Sequence, residues 1–222
     1  RKSIPLILLN GRITKKTFKK WSMFPNFSQK IFSKFNLCLA SSNESKNYLN
    51  KLGSKQVKYI GNLKFAQSET EKIIMNQKLK KFINSRKSWC ASSTHESEEI
   101  FCGKIHNELK KKYSDLLTII IPRHIDRAIL IQDELKKLNL NVHIHEFQKK
   151  IKPDTEVIIV NSYGTTRSFY SACKNVFLGG SLVNHGGQNP LEATRYGCNI
   201  LHGPNVYNFK EIYKLLKEKK IS

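Results

Sequence analysis

The chain has 222 residues, 39% of them hydrophobic, and carries 39 Lys and Arg against 17 Asp and Glu for a net charge of +22. That length holds one large domain or two small ones with ample core. No apolar run approaches a membrane span of about 20 residues, and the absence of RNP, zinc or helix-turn-helix signatures leaves nucleic acid little weight as a partner.

The charge has a bland cause, since Lys, Asn and Ile are all abundant, as expected of an A/T-biased genome. A second cause is attraction to anionic lipid, for which the stretch Lys15-Lys16-Thr17-Phe18-Lys19-Lys20-Trp21 is suited. The opening RKSIPLILLN has a basic pair and a short apolar run, yet no small-residue cleavage site follows, so a strand is expected there.

In chain order, strand-length apolar runs cover Ile4–Leu9, Leu37–Ser41, Val57–Ile60, Ser88–Ala91, Leu116–Ile121, Val142–His145, Glu156–Val160, Asn175–Leu178 and Asn199–Leu201. Helix-period segments lie between them, among them Glu44–Leu52, Glu96–Lys112, Arg127–Leu138 and Asn208–Lys219. Alternation of this kind predicts an α/β fold with parallel sheets. The segment Ser68–Arg86 is polar, charged and helix-prone without a strand pattern, and a domain boundary is expected there. Cys38, Cys90, Cys102, Cys173 and Cys198 show no CxxC spacing and read as reduced, mostly buried thiols. The seven histidines form neither HExxH nor a Cys/His cluster, so no metal is expected.

The run from Val176 to Gly197, VFLGGSLVNHGGQNPLEATRYG, is the most informative in the chain. It reads as a strand, a glycine loop and a helix opened by Asn189 as N-cap, Pro190 in the first turn and Glu192 three past the cap, with Gly197 as the stop. At the carboxyl edge of a sheet, free N–H groups and a helix dipole favour anionic and nucleotide ligands. A capping box and a turn would account for the same residues. SSTHESEE, after the strand Ser88–Ala91, offers Ser93 and Thr94 as caps with Glu96 completing a capping box, and His95 as a titratable group near a helix start. In IPRHIDR, Pro122 ends a strand, so that Arg123 and His124 emerge at its carboxyl end, where an arginine can grip a phosphate.

GGSLVNHGGQNPLEA resembles the signature of bacterial Kdo (3-deoxy-D-manno-octulosonic acid) transferases, and GNLKF (61–65), SSTHESEE (92–99), IPRHIDR (121–127) and GPNVYNFKEI (203–212) resemble the same family in the same order. The resemblance implies a GT-B glycosyltransferase with two Rossmann-like domains, the N-terminal one incomplete in this chain. Residues 1–67 would be the end of the acceptor-side domain, 68–86 a linker and 87–222 the CMP-sugar-binding domain. The implied reaction moves Kdo from CMP-Kdo to a lipid A precursor, with inversion, at the cytoplasmic face of the inner membrane. No cofactor is expected.

By the same resemblance Pro122 and Arg123 contact CMP, and Asn189, Pro190, Leu191 and Glu192 line the nucleotide, with Glu192 on the ribose hydroxyls. Tyr163, Gly164 and Thr165 fall where the family has DTMGEL, of which this chain keeps only the glycine in its NSYGTT. Gln188 stands where the family has a histidine, and Ile125 where it usually has a second proline. Ser93, Thr94 and His95 are further candidates near the donor. Lys64 would stabilise charge on the departing phosphate. The family's general-base glutamate lies in a segment that nothing here matches, so the 222 residues alone are expected to be inactive. The rivals are another GT-B sugar-nucleotide transferase, which the changed DTMGEL segment keeps open, and a non-catalytic donor-binding remnant.

Overall fold

The structure, a computed structural model, describes residues 4–63, 75–146 and 150–222. The chain divides into two compact units, Arg1–Glu71 and Lys72–Ser222.

The first unit has a three-stranded parallel sheet in the order β1 (Ile7–Gly11), β2 (Leu37–Ala40), β3 (Val57–Tyr59). The first strand begins three residues later than the sequence suggests. Pro5 has no N–H to give a ladder, and the Leu6 N–H is taken by the Asn36 side chain at 2.9 Å. Helices α1 (Lys15–Ser22) and α2 (Pro25–Phe32) connect β1 to β2, and α3 (Asn43–Lys51) connects β2 to β3. Each helix has a local reason to start. Thr14 Oγ1 accepts from Thr17 N, Pro25 occupies the first turn of α2, and Ser42 Oγ accepts from Ser45 N at 3.0 Å. Phe32, Cys38, Ala40, Leu49 and Leu52 form the core, with Phe18 stacked on Tyr48 at 4.4 Å and Trp21 edge-on to Phe32 at 5.2 Å.

The second unit is a six-stranded, wholly parallel sheet in the order β6-β7-β5-β4-β8-β9. Its strands are β4 (Lys87–Thr94), β5 (Leu116–Pro122), β6 (Val142–His145), β7 (Val157–Val160), β8 (Asn175–Leu178) and β9 (Asn199–His202). Every residue of β5 and β7 is buried, because helices cover both faces. Alternate residues feed two cores. Cys90, Leu117, Ile119, Ile158, Val176 and Ile200 share one with residues of α4 (Gln77–Asn84), α7 (Thr166–Tyr170), α8 (Leu191–Arg195) and α9 (Lys210–Glu218). Ala91, Ile120, Val157, Ile159 and Phe177 share the other with α5 (Glu98–Lys110) and α6 (Ala128–Lys136). Helix α4 lies inside the segment read as polar and helix-prone, with Leu79 and Ile83 turned into the core. All five cysteines are free and buried.

The chain lays down β4 to β7 on one side of β4, then crosses to place β8 on the other. The border between β4 and β8 is therefore a topological switch point, where the carboxyl-end loops diverge and leave a crevice.

Candidate functional site

Strands β7, β5, β4 and β8 are neighbours, so the loops that follow them line one edge over roughly 14 Å, three strand spacings of about 4.8 Å. Those loops carry Tyr163, Gly164 and Thr165 after β7, Arg123 after β5, His95 after β4, and Asn189 with Pro190 after β8. The sheet thus brings together candidate residues that are scattered across a hundred positions of sequence. Lys64 lies outside the described residues.

The end of β4 is irregular. Its register against β5 shifts between Ser92 and Thr94, and Ser93 adopts a left-handed backbone with φ 54°. Neither Ser93 nor Thr94 caps a helix, contrary to the sequence expectation. Thr94 is the last residue of β4, and its carbonyl accepts from Arg123 N at 2.9 Å. Helix α5 starts four residues on, after Ser97, which makes no side-chain cap bond. Glu96 is exposed; the acid that reaches back is Glu98.

Glu98 is only 1% exposed, and its carboxylate accepts four backbone hydrogen bonds. Oε2 takes His95 N at 2.9 Å and Gly180 N at 2.7 Å, and Oε1 takes Ser181 N at 3.1 Å and Leu182 N at 3.0 Å. The glycine loop was expected to offer free N–H groups to an anionic ligand. Three of its consecutive donors are instead satisfied internally, by a buried charge that needs them. The same clasp demands close approach. A Cβ on Gly179 would sit 2.5 Å from the Ser93 carbonyl oxygen and 2.6 Å from Thr94 Cα.

Around this clasp three histidines gather. His95 lies 4.1 Å from His185 and 6.2 Å from His124 between ring centroids, and Gln188 Nε2 stands 3.3 Å from His95 Nε2. An amide N–H donating there requires a neutral His95 with its proton on Nδ1. Partial burial, then the neighbouring His185, holds the His95 pKa below the usual imidazole value. Arg123 is exposed and has no ion pair among the described residues. It therefore adds an uncompensated cation to the edge.

After β8 the five-residue helix α8 starts one residue later than expected, so that buried Pro190 and not Asn189 holds its N-cap and Asn189 lies just outside it. Asn189 Oδ1 accepts Leu191 N at 3.2 Å. Glu192 forms no capping box; its Oε1 accepts from Arg167 Nε at 2.7 Å, linking α8 to α7. Leu191 packs against the core. After β7, Tyr163 is 73% exposed, Gly164 has φ +77° with open space about it, and Thr165 Oγ1 pairs with Ser162 Oγ at 3.0 Å.

Glu98, Arg167 and Gln188 are the residues that sequence reasoning missed as participants. For Glu98 a signal existed: it stands three residues after His95, the spacing of a reach-back acid. The Arg167–Glu192 pair spans 25 positions and had none. A cavity of about 360 Å³ lined by Arg86, Ser88, Cys173 and Lys174 lies at the opposite edge, where the strands begin, and so plays no part in this site. Among the described residues no group of three or more His, Cys, Asp or Glu could hold a metal ion.

Residues 1–67 match the family model described as 3-deoxy-D-manno-octulosonic-acid transferase (kdotransferase). Over 214 residues the chain is 33% identical to a 3-deoxy-D-manno-octulosonic acid transferase of Rickettsia felis, covering 94% of this chain and 45% of that protein. Over 221 residues it is 28% identical to the Haemophilus influenzae protein of the same name, covering 98% and 52%. The chain thus spans about half the length of these relatives. Among solved structures it is similar to the C-terminal CMP-Kdo binding domain of WaaA from Acinetobacter baumannii, with a TM-score of 0.59 and 26% identity over 63% of this chain and 72% of that one. The fold is α/β with parallel sheets, and the chain is similar to the 3-deoxy-D-manno-octulosonic acid transferases over nearly its whole length.

Proposed function

We propose that the chain forms the donor-binding part of a glycosyltransferase that moves Kdo from CMP-Kdo to a hydroxyl of a lipid A precursor, in lipopolysaccharide biosynthesis at the cytoplasmic face of the inner membrane. The observation that carries this reading is the convergence of the loops after β7, β5, β4 and β8 on the switch point of a parallel sheet. The similarity to a CMP-Kdo binding domain supports the choice of nucleotide sugar.

The internal clasp constrains how the donor would be held. With the N–H groups of Gly180, Ser181 and Leu182 committed to Glu98, the phosphate is left to side chains. Arg123 is the exposed guanidinium on that edge and matches a phosphate bidentately. Glu192 has one oxygen on Arg167, and its other would accept from the ribose hydroxyls. Tyr163, Gly164 and Thr165 would flank the nucleotide from the β7 side. Neutral His95, held by Gln188, would face the sugar as a hydrogen-bonding group and not as a cation.

In the transfer, an acceptor oxygen forms a bond to the anomeric carbon from the face opposite the phosphate. The carbon–oxygen bond to CMP breaks, and the acceptor proton passes to a base; a single displacement inverts the centre. Arg123 would stabilise charge growing on the leaving phosphate. The membrane face is proposed because the acceptor is a lipid and the chain is strongly basic.

Calorimetric titration with CMP, CMP-Kdo and UDP tests this. Selective binding of the cytidine ligands, lost in Arg123→Ala and in Glu192→Ala, is the expected result. Preference for UDP, or no binding, would mean that the altered Asn161–Thr166 segment has redirected or abolished the donor site.

A further inference from the structure

We propose that the α1–α2 corner of the first unit is a membrane-docking element, which inserts Met23, Phe24 and Phe27 into an anionic lipid surface. Met23 is 72% exposed, Phe24 65% and Phe27 56%. These are large apolar side chains with aqueous surroundings, and they stand together at the turn between two helices.

The turn is built to hold them out. Met23 N donates to Lys20 O and Phe24 N to Trp21 O, closing α1, and Pro25 in the first turn of α2 fixes the backbone direction. Ser28 Oγ then donates to Trp21 O at 2.6 Å and ties the second helix back to the first. Trp21 stacks on Phe27 at 6.2 Å and packs edge-on against buried Phe32, so the corner rests on a rigid aromatic base. The chain cannot fold these side chains inward, because the positions facing the core are already filled by Phe18, Trp21 and Phe32.

Charge identifies the occupant. Lys15, Lys16, Lys19 and Lys20 are all exposed along α1, and Lys30 and Lys34 are exposed along and just beyond α2. No Asp or Glu occurs before Glu44, although the chain has 17 acids in all. The cations flank the apolar positions along the chain, Lys20 three residues before Met23 and Lys30 three residues after Phe27. Apolar side chains flanked by cations match a bilayer, whose anionic headgroups border its acyl chains. Proteins that stack nucleic-acid bases set their aromatics in a basic groove, whereas here they project from a corner. The inference stands on this unit's own charge and exposure, so donor binding and membrane docking can fail separately.

The test is co-sedimentation of the full 222-residue chain with vesicles of phosphatidylcholine alone and of phosphatidylcholine with phosphatidylglycerol. Binding to the anionic vesicles is expected, weakened at least about tenfold both by Met23→Ser/Phe24→Ser/Phe27→Ser and by Lys15→Gln/Lys16→Gln/Lys19→Gln/Lys20→Gln. The three apolar positions are exposed, so the far-ultraviolet circular dichroism should not change, which confirms that the variants fold, and the thermal midpoint should fall by only a few degrees through loss of the Trp21–Phe27 stack. Undiminished binding by the triple serine variant would overturn the proposal, because charge alone would then explain the attraction. Absence of vesicle binding would overturn it as well. So would single-stranded RNA that displaces the vesicles and needs the same aromatic side chains, which would assign the corner to nucleic acid.

Discussion

The Glu98 carboxylate and the Gly180 N–H are joined by a 2.7 Å hydrogen bond across 82 positions of sequence, the shortest of three that fasten the loop after β8 to the start of α5. A buried anion is tolerated here because backbone dipoles from two loops replace its hydration. This clasp holds the shape of the glycine loop.

Glu98→Gln puts an amide NH2 against N–H groups that need an acceptor. At least two of the four bonds are lost and their donors stay buried, which predicts a loss of about 2–4 kcal/mol in unfolding free energy. Urea denaturation at neutral pH checks it. Should the chain still bind CMP, the binding enthalpy should shift as the loop loosens.

Gly179→Ala acts on the same clasp from the other side. The added methyl meets backbone of Ser93 and Thr94, which cannot swing away as a side chain would. The predicted cost is at least about 2 kcal/mol, measured by the same denaturation. Gly164→Ala, with open space around it, should cost only the roughly 1 kcal/mol of its positive φ.

The Glu192–Arg167 pair is part-exposed on both sides, 39% and 30%. A double-mutant cycle should therefore return no more than about 1 kcal/mol of coupling in stability. Under the proposed function the ligand readout separates the two residues. Glu192→Ala should weaken CMP binding by about tenfold or more, since a charged acceptor is lost. Arg167→Ala should weaken it only a few-fold, because the carboxylate remains. Equal losses would mean that Arg167 itself touches the ligand.

His106 gives a pH signature outside the site. It is fully buried, with Nδ1 2.8 Å from Thr118 Oγ1. Burial lowers its pKa from the ordinary 6.5 to about 4, with Glu156 opposing the shift. The unfolded chain then takes up a proton below pH 6.5 that the folded protein refuses until about pH 4. Stability due to this group is full above 6.5 and falls by about 3 kcal/mol in total as the pH drops through that window. His106→Gln should flatten this part of the profile of unfolding free energy against pH, measured from pH 7 to pH 4. Lys110 pairs with the Glu156 carboxylate and lowers its pKa, a separate acid-sensitive contribution that the variant retains.

Each of the nine strands among the described residues overlaps a run legible in the chain; β5 and β7, buried on both faces, read as continuous apolar runs, and Val142–His145 and Asn175–Leu178 match residue for residue. Boundaries slipped where a side-chain bond competed with the ladder, as at Leu6 with Asn36, thirty positions away. Helix α1 was read only as a basic aromatic stretch, and α2 was not read at all. Their inward face consists of a few aromatics whose partners, such as Tyr48 for Phe18, arrive from α3.

At the candidate edge, chain order alone sufficed to say that Arg123 and Asn189 follow strands, since strand ends announce themselves in Pro122 and in the Gly179-Gly180 pair. It could not say what each polar group spends its hydrogen bonds on. Local periodicity contains information about i to i+4 neighbours, and so it suggested capping boxes for Glu96 and Glu192. The fold brought Gly180 and Arg167 to carboxylates 82 and 25 positions away, and charge-assisted contacts of that kind outweigh a solvent-exposed cap. Which strands lie side by side, and hence which loops share an edge, is likewise decided by long-range packing of faces that look alike in one dimension.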